Sequence, residues 1–182
     1  MRNFAAILPC VALCACASVP RSSRLTTQDF TLLAADVAAA LNQAPAIRER
    51  DAASPRWTIA MNKAENLSND LIPSREQWAL VTSVRDHADL VRLGREKNFA
   101  LIIPAERLRE GLASGSLEPG TAADRAPTHE LAATILSVSR SAITSRADVY
   151  VCEFRLTEIG SGELLWSQTF DIKRAAHGLS FD

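Results

Sequence analysis

The spacing of apolar positions changes along the chain, and each change predicts a different kind of element. After Thr26, which with Asp29 three residues on has the pattern of a capping box, Phe30, Leu33, Val37 and Leu41 recur on one helical face. Positions 34–40 are nearly all small and apolar, and the helix lacks the lysine- and arginine-rich polar face of a membrane-lying helix, so it reads as packed against a sheet. Residues 56–61 follow as a short strand with Trp57, Ile59 and Met61 on one face, and residues 62–73 as a polar loop. Ser74 and Gln77 read as the capping box of a second helix whose apolar positions Trp78, Val81, Val84, Ala88 and Val91 keep the 3.6-residue period. The continuous apolar run 99–103 predicts a strand covered on both faces, as in parallel pairs, and Pro104 stops it. A short helix at 105–112 leads into a Gly-, Ser- and Pro-rich loop ending at Pro127.

Beyond that loop the period becomes two. Residues 131–139 form one strand. Residues 148–157 form the next, with Tyr150, Cys152, Phe154 and Leu156 on one face and Glu153, Arg155 and Thr157 on the other. The turn Gly160-Ser161-Gly162 returns the chain as a third strand, in which Leu164, Trp166, Phe170 and Ile172 alternate with polar residues. The sum predicts an α/β (α+β) single domain: a mixed five-stranded sheet with parallel N-terminal strands, an antiparallel C-terminal meander and flanking helices.

The first residues do not fit that domain. One positive charge, Arg2, precedes an apolar stretch too short to span a bilayer, closing on Leu13-Cys14-Ala15-Cys16. This pattern looks like a bacterial lipobox, with cleavage between Ala15 and Cys16 and lipidation of Cys16; an ordinary secretory peptide cleaved after Ala15 or Ala17 is the other reading. The organisation expected is a signal peptide over 1–15, a short lipidated linker over 16–26 and one domain over 27–182. Ala17 after the lipidated cysteine, in place of an aspartate, points to the outer membrane, with the domain in the periplasm. Of the four cysteines only Cys16 and Cys152 survive processing, which leaves Cys152 without a partner for an internal disulfide. Losing Arg2 takes the net charge from −1 to −2, so no basic field invites nucleic acid.

Candidate chemistry is sparse. His87, His129 and His177 read as surface histidines, on a polar helix face, at a strand entrance and in a C-terminal tail, and none has a cysteine or carboxylate at metal-ligand spacing. Cys152 reads as a small core residue, and Trp57, Trp78 and Trp166 as core tryptophans. No nucleophile elbow, phosphate loop or dinucleotide fingerprint is present. The expectation is a non-enzyme with no cofactor, no metal and no small-molecule substrate, whose contacts lie in the loops 62–73 and 112–127 and in the tail after Arg174.

Three stretches give the chain a resemblance to a known family: the strand and loop from Trp57 to Asn66, the segment from Asn98 to Leu108, and, most specifically, Tyr150 to Leu156 followed by Glu158-Ile159-Gly160-Ser161-Gly162-Glu163-Leu164-Leu165-Trp166-Ser167. In this order, behind a lipobox, they resemble the LpoB-like lipoproteins that activate a bifunctional penicillin-binding protein. A Gly-Glu-x-x-Trp hairpin also occurs in the N-terminal domain of TolB and in curli-secretion lipoproteins. The resemblance implies a penicillin-binding protein as partner and regulation of peptidoglycan synthesis as function. The alternative it leaves is a lipoprotein of an outer-membrane secretion or assembly complex. The family's enteric members carry a long proline-rich tether, whereas the ten residues 17–26 reach at most about 35 Å here.

Overall fold

The computed structural model describes residues 22–113, 115 and 126–177; the expected signal peptide, Ala15 and Cys16, and most of the loop before Pro127 lie outside the described residues. Helix α1 runs over Thr27–Gln43 and starts as its sequence predicts. The Thr26 hydroxyl accepts from the Asp29 amide at 3.4 Å, and the Asp29 carboxylate accepts from the Thr26 amide at 2.7 Å. Phe30, Leu33, Val37 and Leu41 are buried, with Ala34 and Ala38 between them letting the helix lie close. A single turn, α2 (Pro45–Arg48), precedes strand β1 (Trp57–Met61) and the two-residue strand β2 (Glu65–Asn66).

The second helical region departs from its expected form in two ways. Pro73 takes the N-cap position, so Ser74 is the first helical residue and makes no cap; Gln77 instead donates its side-chain amide to the Ile72 carbonyl at 2.7 Å. The expected single helix is broken at Asp86-His87 into α3 (Ser74–Arg85) and α4 (Ala88–Glu96). The break resets the buried face. Trp78, Val81 and Val84 are fully buried in α3, but α4 buries Leu90 and Leu93, leaving Ala88 exposed and Val91 41 % exposed.

Strand β3 (Phe99–Ile102) and helix α5 (Ala105–Ala113) follow as predicted. Three strands of equal length, β4 (His129–Ala142), β5 (Ser145–Glu158) and β6 (Leu164–His177), are the last described elements. Each is longer than its apolar alternation indicated, and the expected tail after Arg174 is the end of β6 as far as His177. The sheet runs β3-β1-β4-β5-β6, parallel on its first three strands and antiparallel on the last three, with β2 added as a sixth strand parallel to β4. The mixed sheet is thus as expected, with six strands where five were predicted. The apolar run at β3 is an edge strand: Ala100 and Leu101 are half-buried, while Phe99 and Ile102 are covered.

Helices α1, α3 and α4 pack on one another over one face of the sheet. They bury Ile59 and Met61 from β1, Leu131 and Ile135 from β4, and Tyr150, Cys152, Phe154 and Leu156 from β5. Phe154 meets Phe170 edge-on, ring centroids 6.0 Å apart and planes at 80°. Among the described residues no helix is long and apolar enough to cross a membrane.

Candidate functional site

The long antiparallel strands run past the helical layer. Along β4, burial holds from His129 to Ile135 on the helix side and then stops, with every residue from Leu136 to Ala142 outside the core. On the face away from the core, Leu136 pairs with Val151 and Val138 with Val149, placing four aliphatic side chains side by side. Leu136 is 41 % and Val138 59 % exposed, and Ile143 at the tip of the β4–β5 hairpin is 92 % exposed. Arg140, Arg155 and Lys173 are exposed on the same side, so the stripe has a charged rim. An apolar stripe so bordered is the anatomy of a protein-docking patch.

A polar cluster on the core side holds this overhang in place. The Asp148 carboxylate is 1 % exposed. It accepts from the Ser23 hydroxyl and pairs with the Arg146 Nε at 2.9 Å. The Arg146 Nη2 also reaches Asp70 Oδ1 at 2.9 Å, and the Tyr150 hydroxyl donates to the other Asp70 oxygen. Burial would raise the Asp148 carboxyl, but hydrogen bonds from Ser139, Ser23 and Arg146, with the Arg146 charge, outweigh it and hold the group below the usual carboxylate range. Burial, the Asp70 hydrogen bond and the neighbouring carboxylates push the Tyr150 hydroxyl above its ordinary range. For Arg146, desolvation is more than offset by Asp148 and Asp70, so it is held charged. The cluster therefore joins three distant parts of the chain: residue 23, the loop at Asp70 and the start of β5. Sequence reasoning missed it, because the contacts that join its three parts span 76 to 125 residues.

This arrangement also revises the surface expected at loop 62–73. Asn66 Oδ1 accepts from the Ser68 amide at 3.0 Å, Asn66 Nδ2 donates to the Asp70 carbonyl at 2.9 Å, and the Asn69 amide donates to Ser137 at 3.0 Å. The loop is pinned against the hairpin, with Leu71 left 89 % exposed.

The three histidines separate. His177 is exposed and His87 half-buried at the start of α4. His129 is 3 % exposed, which corrects its expected surface position. Its ring lies 3.9 Å from that of Trp57, and the Arg50 guanidinium sits 3.8 Å over the Trp57 ring. Burial dominates at His129 and lowers its pKa, the nearby Arg50 charge adding to that and Glu158 opposing it. Trp57 and Trp166 are accordingly only partly buried, flanking the core, and Trp78 alone of the three tryptophans is sealed within it. Cys152 is buried, and burial with the Asp171 charge pushes its thiol up to about 12, which suits packing and not nucleophilic attack. Among the described residues no three His, Cys, Asp or Glu side chains gather as metal ligands.

The described geometry defines a class: a small mixed-sheet domain with helices on one face and an antiparallel overhang. Similarity to particular proteins was found among solved structures alone, since no family model and no curated protein matches the chain. The chain is similar to the LpoB C-terminal domain from Salmonella enterica, with 13 % identity over 79 % of this chain and 98 % of that one, at a TM-score of 0.45. It is similar to the Escherichia coli LpoB C-terminal domain at 11 % identity with the same coverage and a TM-score of 0.46. The Neisseria meningitidis lipoprotein GNA1162 follows at 16 % identity, over 65 % of this chain and 83 % of that one, with a TM-score of 0.44. The family that the sequence resembles is thus met again among the solved structures.

Proposed function

We propose that the chain is a non-catalytic accessory lipoprotein, anchored through Cys16 to the outer membrane, that docks on a peptidoglycan synthase and raises its activity. The observation that carries the docking role is the aliphatic stripe on the overhang, exposed Leu136 and Val138 beside half-buried Val149 and Val151, backed by the Asp148 cluster. The identity of the partner rests on the sequence resemblance, most specifically in the stretch from Tyr150 to Ser167. Reach bears on how the two meet. Ser23 is fully buried against Asp148, and seven residue steps separate it from Cys16, a reach of at most about 25 Å. On that tether the domain works close to its own membrane, and the synthase must extend toward it.

The test places a photo-cross-linking amino acid at Val138 of the lipidated protein in its native envelope. Capture of a bifunctional penicillin-binding protein supports the proposal; capture of an export channel in its place sinks it. A soluble fragment beginning at Ser22, which keeps the Ser23 contact, is expected to stimulate glycan polymerisation by the captured enzyme, and Val138→Asp to remove that stimulation.

A further inference from the structure

The opposite edge of the sheet carries a second surface, independent of the overhang. Among the described residues strand β3 (Phe99–Ile102) pairs with β1 alone, and a groove of about 370 Å3 lies between the strand and helices α3 and α4. In a β-strand the N–H and C=O of one residue point to one side and those of the next to the other. The Asn98 carbonyl accepts from the Trp57 amide at 3.1 Å, so Asn98, Ala100 and Ile102 face β1 and Phe99 and Leu101 face outward. At Phe99 the outward carbonyl is covered by α4: a Cβ at Gly94 would stand 2.7 Å from it. Leu101 lines the groove, and its N–H and C=O lie on the side of the strand away from β1.

Three arginines border that edge: Arg56 just before β1, Arg85 at the end of α3 and Arg95 in the last turn of α4. Asp86 is the single acid among the lining residues and is already taken, its two oxygens held by Arg85 Nε and Nη2 at 2.7 and 2.6 Å. The remaining Arg85 nitrogen, Nη1, is buried and has no hydrogen-bond partner among the described residues, although leaving a charged donor unsatisfied is costly. Arg56 and Arg95 are exposed and pair with no carboxylate among the described residues. Between the arginines the floor is apolar, with Leu90, Val91 and Leu101.

We propose that this groove takes an extended acidic segment of a partner protein, added as a strand to the Leu101 edge of β3 with carboxylates on Arg56, Arg85 and Arg95 and an aliphatic residue on the floor. Backbone pairing supplies the attachment and the arginines select for acidity. The parallel edge, the positive rim and the unsatisfied Arg85 nitrogen each call for a different part of the same ligand. A lone anion satisfies the arginines and leaves Leu101 unpaired; an uncharged strand does the reverse.

The test uses the full-length lipoprotein in detergent and an end-blocked octapeptide of glutamate and valine in alternating pairs, so that both faces of the strand present both residue types. Binding is read by fluorescence anisotropy, and pairing by hydrogen exchange at the Leu101 amide. The expected result is saturable binding with exchange at Leu101 slowed at least tenfold, and affinity reduced at least tenfold in the Arg56→Ala, Arg95→Ala double variant, whose substitutions are on the surface. A second peptide with proline in place of every valine keeps the charge and removes strand donors; it is expected to bind at least tenfold more weakly. Failure of the first peptide to bind, equal binding of the proline peptide, displacement by equimolar inorganic phosphate, or unchanged affinity in the double variant each overturns the proposal.

Discussion

The inner and outer halves of the β4–β5 hairpin share one continuous antiparallel register, from His129 opposite Glu158 to Ala142 opposite Ser145, yet they are stabilised by different physics. The inner half lies under the helices, and Ile135, Cys152, Phe154 and Leu156 are 0 to 1 % exposed. In the outer half burial reaches only Tyr150 and Asp148 at its near end; Leu136 and Val138 face water, and the rest of its order comes from ladder hydrogen bonds and from the ion cluster around Asp148. Apolar burial therefore fixes where the sheet sits, and a few buried polar groups fix how far it projects. A projecting, preorganised sheet presents aliphatic side chains without losing conformational freedom at the moment of binding.

The contrast is broken most severely from the inner side. Phe154→Ala removes a fully buried ring that contacts Phe170, and is expected to cost about 3–5 kcal/mol, lowering the melting temperature by roughly 10 °C. Thermal or urea unfolding followed by circular dichroism checks this.

The outer half depends on Asp148. Asp148→Ala leaves Arg146 with one carboxylate and Ser23 with no acceptor, and is expected to cost about 2–3 kcal/mol, less than a fully sealed pair because Arg146 is 23 % exposed. The pH dependence has a definite sign. The folded Asp148 carboxyl titrates below its unfolded value of 3.8, so its stabilisation is complete above about pH 4 and fades as pH falls through the lower folded value. Unfolding measured from pH 7 to pH 2 should show wild type and Asp148→Asn converging below about pH 4, and parallel curves throughout that range would contradict the assignment.

Cysteine accessibility sharpens the same boundary. Cys152, on the inner half with its thiol pushed up to about 12, is expected to react with a thiol reagent at pH 8 at least about a hundredfold more slowly than in the denatured chain. A cysteine placed by Val138→Cys on the outer half should react at nearly the rate of a free thiol, since the side chain there is 59 % exposed. Similar rates for the two would mean that the hairpin opens as one unit.

Why the boundary was hard to see in the sequence is physical. Alternation marks a strand only where one face is buried, so Leu131 to Ser139 was legible and the residues beyond, exposed on both sides, carried no period to detect. The buried faces of α1 and β5 were legible for the same reason, down to Phe30, Leu33, Tyr150 and Phe154. The break at Asp86-His87 was not, because Ala88 and Val91 happen to continue the spacing of Trp78, Val81 and Val84. His129 was read as a surface residue since burial there comes from Trp57, seventy-odd positions away, stacking on its ring. The Asp70–Arg146–Asp148–Ser23 cluster and the Arg56–Arg85–Arg95 rim are products of topology: their members are polar, distant in sequence and without local pattern.

The smallest stability effect is expected at the stripe itself. Leu136→Ser and Val138→Ser replace exposed side chains that support no core, so each should change unfolding free energy by no more than about 0.5 kcal/mol. If the stripe is a docking surface, the same double variant should still lose capture of its envelope partner by cross-linking, because aliphatic contacts at the centre of an interface dominate its affinity. Phe154→Ala would lose capture only at temperatures where the domain itself melts. A double variant that unfolds earlier by several degrees would instead place Leu136 and Val138 in the core, and the overhang would then be an extension of the hydrophobic interior.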